Sequence, residues 1–426
     1  PTGPAPLLPT SPVWITSPSI DIPPGHLIEF SGMVRTSGPL AGPTDALLIF
    51  DSLGGPEMAV RVHDAPAWEP FRLIRAAPDG DSITLIPRQV LLQDATGTLV
   101  MQALEAIGLD RVRVDLAVQY VDHNLIQADF RNADDHTSLR TCAEAFGIWF
   151  SAPGEGVSHP VHAHHFGRPG DFLLGSDSHT CAAGALGMIG IGAGSFDVAA
   201  ALAGEPFHLP RPKVRRITLL GAPPDRVGAK DAILTLLGRY GVAGAKGFVL
   251  EYDGPGVAAF GVMERMAIAN MGAEMGATAS VCPSDARTLA FLTHAGRPEV
   301  GQELSADPDA SYDESDTLDL SKLEPMIARP SSPDDVVTVR SVAGTPVGQA
   351  YIGSSASPGF QVVARVAALM NGRPKASGVS LDVNPAPRAA LMGLVATGGM
   401  ASLLQSGARF HQFGCNGCNG MGQAPG

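Results

Sequence analysis

The sequence predicts an α/β protein built on mainly parallel sheets, and three observations carry that prediction. From Ile86 onward, apolar runs of strand length alternate with segments of helical period, the pattern of strand-helix units around a parallel sheet. Fifty glycines and 36 prolines beside only 6% aromatics point to many short elements joined by tight turns. A chain of 426 residues, 45% of them hydrophobic and 17% charged, can bury several cores, so two or three domains are expected.

Residues 1–85 form an N-terminal region with no assigned role. Its start is rich in Pro, Ser and Thr, and the rest mixes short apolar runs with Gly/Pro turns. Residues 86–302 carry the first strand-helix units. A strand over 113–120 ends at Asp122 and His123, and a strand over 172–175 ends at Asp177, Ser178 and His179. A third, over 247–250, runs to Glu251 and a Gly-Pro-Gly turn. Polar groups at such strand ends matter because ligands of open parallel sheets gather outside the carboxyl ends of the strands.

Residues 303–333 hold Asp307, Asp309, Asp313, Glu314, Asp316 and Asp319 and read as a solvated acidic connector. The spacing lacks the central Gly and closing Glu of a calcium loop. Residues 334–426 then read as a second doubly wound unit, with strands over 336–339, 347–352 and 379–383 and helical segments over 359–371 and 388–406.

A formal net charge of −13 repels a polyphosphate backbone, and there is no Lys/Arg block to counter it, so nucleic acid is excluded as a main partner. No apolar stretch is long enough to span a membrane, and the Pro-rich start lacks the basic and apolar regions of a signal peptide. The five cysteines (Cys142, Cys181, Cys282, Cys415 and Cys418) are an odd number, unlike a disulfide framework. A reducing, cytoplasmic location is expected.

Expelling hydroxide from an unactivated carbon at neutral pH requires an acid or electrophile at the leaving oxygen, a base for the neighbouring proton and cations for carboxylates. A histidine whose ring nitrogen donates to a carboxylate is held in one tautomer and stabilised as imidazolium. His123 beside Asp122, His179 close to Asp177, and His159 after a Gly-containing turn are the candidates. His162, His164 and His165 follow His159 without a zinc-protease spacing and read as part of a partly solvated loop. Cys415 and Cys418 form a C-x-x-C that suits a redox dithiol, half a zinc site or two ligands of an iron-sulfur cluster. Cys142, Cys181 and Cys282 read as small core residues.

In chain order, Gln93-Asp94-Ala95-Thr96, Asp122-His123, Gly175-Ser176-Asp177-Ser178-His179-Thr180, Glu251-Tyr252-Asp253-Gly254-Pro255-Gly256, Asn270-Met271-Gly272-Ala273-Glu274-Met275-Gly276-Ala277-Thr278 and Cys415-x-x-Cys418 resemble the aconitase and isopropylmalate isomerase superfamily. The resemblance runs from about Ile86 to the end. It implies three-layer α/β/α domains and a hydro-lyase acting on a small hydroxy-carboxylic acid. It also implies three histidine-carboxylate pairs: Asp122 with His123, Asp177 with His159, and Glu251 with His179. Gln93 and Ser178 would contact substrate, and His123 would help protonate the departing hydroxyl.

The resemblance further implies a four-iron cluster held by three cysteines, with one iron open to the substrate. Here Ser355, in Gly353-Ser354-Ser355-Ala356-Ser357, stands where the first thiolate is expected. A serine hydroxyl is far less acidic than a thiol and a poor cluster ligand. The expected metal site is therefore Cys415, Cys418 and Ser355, and the alternatives to four irons are a two-iron centre, a single divalent metal or no centre. The family's arginine-rich stretch and mobile domain find no match here, so the base is expected from a separate small swivel-domain subunit or from residues outside this sequence, or the chain does something different. The competing functional reading keeps the fold but makes the chain a non-catalytic regulatory homologue.

Overall fold

The computed structural model describes residues 27–36, 47–49, 60–62, 64–76, 82–127, 129–356, 359–415 and 417. The chain divides into two compact units, Pro1–Ser82 and Ile83–Gly426. In the first, four strands, β1 (Leu27–Val34), β2 (Leu47–Ile49), β3 (Val60–Val62) and β4 (Glu69–Ala76), pair antiparallel as β1 with β4 and β2 with β3.

The second unit is entered through β5 (Ser82–Leu85). A five-stranded parallel sheet follows, made of β6 (Gln89–Gln93), β7 (Leu116–Tyr120), β8 (Trp149–Ser151), β9 (Phe172–Gly175) and β10 (Ile189–Gly192) in the order β10-β9-β6-β7-β8. Its connections are the helices α1 (Asp94–Ile107), α2 (Phe130–Phe146) and α3 (Ser158–His165), then a 3-10 segment, Ser178–Leu186; α4 (Ser195–Leu202) follows the last strand. Strand residues alternate between two apolar layers. Val90 and Leu92 pack with α1, α2 and α4, whereas Leu91 and Leu173 pack with α3, the 3-10 segment and a later helix, α6 (below). That is the three-layer α/β/α arrangement. The chain winds from β6 to β7 and β8 on one side and returns to β9 on the other, so the switch point lies between β6 and β9.

After β11 (Phe207–Pro210), which pairs with β5, a second parallel sheet forms from β12 (Lys213–Leu220), β13 (Phe248–Asp253), β14 (Ala279–Val281) and β15 (Glu314–Asp319), ordered β14-β13-β12-β15. Helices α5 (Ala229–Tyr240), α6 (Val262–Asn270) and α7 (Ala286–His294) connect them. This corrects the reading of residues 303–333 as a solvated connector. Its middle is strand β15, whose Leu318 is buried and whose Glu314 and Asp316 meet cations: Arg215 Nε donates to Glu314 at 2.8 Å, and Arg239 and Tyr240 donate to Asp316. An acidic edge strand paired to arginines carries the same composition as a solvated linker.

A hairpin of β16 (Met326–Ala328) and β17 (Val336–Thr338) leads to a third parallel sheet, β18 (Gln349–Gly353), β19 (Ser380–Asn384) and β20 (Arg409–Phe410), covered by α8 (Phe360–Met370), α9 (Arg388–Ala396) and α10 (Gly399–Gln405). The single helical segment expected over 388–406 is two helices, because Gly398 takes a left-handed φ of 74° between them. Among the described residues no helix is long and apolar enough to cross a membrane.

Candidate active site

A cavity of about 530 Å³ opens at the carboxyl ends of the first sheet, lined by residues from all three parallel sheets' domains. From the first come Gln93, Thr96, His123, Ser176, Asp177, Ser178 and His179. Gln93 ends β6 and caps α1: its carboxamide oxygen accepts the Ala95 N–H at 2.6 Å, leaving the amide nitrogen as the group it can offer a ligand. Asp94 has no such freedom. Its two oxygens accept the backbone N–H groups of Asp122, His123 and Asn124 at 2.7–3.1 Å, which fixes the turn that follows β7. Asp94, Asp122 and His123 lie within 4.8 Å of one another. Their oxygens are committed to N–H donors, so we read the group as a structural hub rather than a metal site.

His123 Nδ1 meets Asp122 Oδ1 at 2.9 Å, and Asp122, fully buried, also accepts the Ser158 N–H at 2.7 Å. The other ring nitrogen, Nε2, is 3.7 Å from Asp177 Oδ2. Burial works against the charged ring, but the bond to Asp122 and the charges of Asp122, Asp177 and Asp94 outweigh it and raise His123 to about 9.

Asp177 is the centre of the cluster. Its Oδ1 accepts the His179 backbone N–H at 2.7 Å and lies 3.5 Å from His159 Nε2 and 3.6 Å from His179 Nδ1. Burial alone would raise its carboxyl, yet His159, His179 and His123 hold it well below the usual carboxylate range. His159 is buried at the start of α3 and is among the residues of a separate, nearly filled interior void, so it touches the cavity through Asp177. Ser178 Oγ lies 3.3 Å from His179 Nδ1.

The expected pairing of Glu251 with His179 is corrected. His179 Nε2 lies 3.2 Å from Glu274 Oε1, while Glu251 Oε1 accepts the Tyr312 hydroxyl at 3.0 Å. The physical reason is the length of β13. The strand runs on to Asp253, so Glu251 sits within it rather than at a strand end. Glu274 instead follows α6 on a short 3-10 turn and reaches the cavity with Asn270 and Met271. Burial opposes protonation of His179, but bonds to Asp177 and Glu274 and their charges raise it to about 10; reciprocally, the bond from His179 holds Glu274 below its ordinary value. The Asn270 to Thr278 motif held this carboxylate in plain view, and only its role was missed.

The third sheet supplies Ser355, Ala356 and Cys415. Gly353 has a φ of 109°, and a Cβ there would stand 1.9 Å from the Asn384 carbonyl oxygen, so the turn after β18 requires glycine. Asn384 donates to the Tyr351 hydroxyl at 2.9 Å and to the Gly414 carbonyl at 2.7 Å, and the Cys415 N–H donates to the Asp122 carbonyl at 2.7 Å. The thiol-bearing loop is thus tied directly to the residue that orients His123. Ser355 Oγ lies 3.5 Å from Cys415 Sγ, and Asn270 donates to the Ser355 carbonyl at 3.0 Å. Cys418 lies outside the described residues.

This donor set does not fit a cluster held by three thiolates. Cys181 and Cys282 do not complete it: both are buried core residues that do not line the cavity, and Cys181 Sγ donates to the Ala269 carbonyl at 3.1 Å. The histidine-rich loop is also corrected. It is helix α3, and His162 is a core residue between Gln89 (2.9 Å) and the Tyr120 hydroxyl (3.0 Å), lowered to about 3 by burial.

Residues 68–346 match the profile of the aconitase family (aconitate hydratase). The large subunit 2 of 3-isopropylmalate dehydratase from Archaeoglobus fulgidus is 34% identical over 81% of this chain and 83% of its own length. The mitochondrial homocitrate dehydratase of Saccharomyces cerevisiae is 30% identical over 77% of this chain and 44% of its own length. The solved holo-form of Thermococcus kodakaraensis aconitase X aligns with 78% of this chain and 79% of its own at 14% identity, with a TM-score of 0.44. The profile spans well over half of the chain and the archaeal relative most of it, so the chain belongs to the aconitase family of hydro-lyases.

Proposed function

We propose that the chain is the large subunit of a dehydratase that removes water from, and returns it to, a small hydroxy-carboxylic acid carrying more than one carboxylate. The observation that carries this reading is the pair of raised imidazoles, His123 and His179, converging with Asp177 on one cavity. At neutral pH both rings are protonated. His123, whose Nδ1 is held by Asp122, presents Nε2 as the acid that protonates the leaving hydroxyl. His179, held by Glu274, acts as a fixed cation and donor toward a substrate carboxylate. Gln93 and Ser178 orient the substrate, and Asp177 and His159 lock the two rings in place.

A site with an acid still needs a base. The described cavity carboxylates, Asp177 and Glu274, are both held below the ordinary range by their histidines and are therefore weak proton acceptors. The base accordingly comes from a separate small subunit, in keeping with the relative's name as a large subunit. No step is assigned to an iron-sulfur cluster, because Ser355 and Cys415 do not supply the thiolates that it needs. A two-iron or single-metal centre at Ser355, Cys415 and Cys418 is the metal reading consistent with these donors.

The test is to co-express the chain with its small subunit, purify the pair without oxygen, and follow the ultraviolet absorbance of a newly conjugated double bond across a panel of hydroxy-dicarboxylates and hydroxy-tricarboxylates. Turnover of at least one, lost in His123→Ala, supports the reading. No turnover of any member overturns it.

A further inference from the structure

We infer that Lys230 is a specificity-determining residue that receives a remote carboxylate of the substrate in the main cavity. The inference deepens the proposed function and rests on it. Among the described residues lining the cavity, the ionisable side chains are His123, His179, Lys230, Asp177, Glu274 and Cys415. Both imidazoles are already engaged by carboxylates: His123 by the buried Asp122 at 2.9 Å, with Asp177 3.7 Å from its other nitrogen, and His179 by Glu274 at 3.2 Å. Lys230 is the one lysine or arginine among the described residues lining the cavity, and so the cation there that an anionic ligand meets without displacing a carboxylate, in a chain whose net charge is −13.

The backbone beneath Lys230 is fixed. It is the second residue of α5, and the neighbouring Asp231 pins that end twice, accepting the Gly228 N–H at 2.8 Å and the Met326 N–H at 2.7 Å. The side chain itself is exposed, and no carboxylate among the described residues is within ion-pair distance of it. The structural alternative is an ordinary solvated surface lysine, which lines no cavity. A lysine that shares a wall with Pro333, Asn270 and Glu274 is placed to meet the end of a substrate whose hydroxyl faces His123.

The test uses the full chain with its small subunit and two inert probes, succinate and tricarballylate, which have no hydroxyl to lose. Calorimetric affinity is measured for the parent, Lys230→Gln and Lys230→Arg, with butyrate as the single-carboxylate control. The expectation for Lys230→Gln is a loss of roughly tenfold to a hundredfold for the multivalent probes, the range of a charge-assisted hydrogen bond. Butyrate affinity should be unchanged, and Lys230→Arg should restore most of the loss. With a turned-over substrate, KM should rise by a similar factor while kcat stays within a few-fold. If the parent binds the probes and Lys230→Gln binds them equally, the inference falls and the reading of the site stands. If the parent neither binds them nor turns over any hydroxy acid, both fall.

Discussion

The exchange Asp122→Asn tests the assignment of His123 as the acid most directly, because the two side chains differ by one atom. Asp122 is fully buried and accepts from two donors, His123 Nδ1 at 2.9 Å and the Ser158 N–H at 2.7 Å. An asparagine can satisfy only one of them with its oxygen. If the oxygen stays on Ser158, the amide nitrogen faces Nδ1, which must become an acceptor, and the ring is forced neutral. If it stays on His123, two N–H groups face each other, at a cost of about 1–3 kcal/mol. In both cases the negative charge is gone.

The raised value of about 9 stands about 2.5 units above an ordinary histidine, or ~3 kcal/mol of preference for imidazolium. Asp122 raises the ring more than Asp177 or Asp94 does, and loss of the full preference would change the ratio of charged to neutral ring at pH 8 from roughly ten to one to roughly one to thirty. The assay is the pH dependence of kcat/KM for parent and variant, with the His123 titration read by NMR on selectively labelled histidine. The parent's alkaline limb should fall near pH 9 and the variant's at clearly lower pH. Activity at pH 8 should drop by up to about thirtyfold, the fall in the protonated fraction of the ring, with the fold retained. A variant whose alkaline limb remains near 9, with the same pH 8 activity, would refute the role of Asp122 and the acid assignment that depends on it.

Other outcomes follow from the same geometry. Glu274→Gln should lower the titration of His179 and reduce activity, whereas Glu251→Ala should leave the pH profile unmoved and cost only its bond from Tyr312, about 0.5–1.5 kcal/mol in a denaturant melt. Both raised histidines stabilise the fold fully below their unfolded value near 6.5, and that contribution is lost as pH rises through about 9 and about 10, so thermal stability should decline between pH 7 and 10 and decline less in His123→Gln. Gly414→Ala places a methyl 2.5 Å from the Asp122 carbonyl oxygen, which cannot retreat without breaking its bond to Cys415; the expected cost is about 1–3 kcal/mol with loss of turnover. Reconstituting Ser355→Cys with iron and sulfide should add iron and a sulfur-to-iron charge-transfer band absent from the parent, and a parent already carrying four stable irons would contradict the ligand argument.

The parts of this molecule that were legible in the sequence are those governed by local chemistry. Strand β9 was bounded to the residue because a short apolar run stops at Ser176-Asp177, and the alternation of apolar runs announced the parallel sheets. The Asp122-His123 contact needed only adjacency. What could not be read depended on where a strand stops and what it meets. Glu251 follows four apolar-strand residues just as Asp122 nearly follows β7, but cross-strand pairing to β12 extends β13 past it, and that pairing comes from residues 213–220. Strand β15 was hidden for a similar reason, since its carboxylates are neutralised by Arg215 and Arg239 from distant segments. Lys230 carries no local signature at all, and only the folded chain places it on the same cavity as Glu274.

The bond from the Cys415 N–H to the Asp122 carbonyl has a consequence for biosynthesis. Its two ends leave the ribosome roughly 290 residues apart, about 15–60 s at ordinary elongation rates. During that interval the first sheet can fold with its imidazoles in place while the wall bearing Ser355 and Cys415 does not yet exist. Nascent chains arrested before residue 349 should therefore display the titration of His123 without any capacity to retain a metal at the third sheet, and the two properties should be acquired in that order.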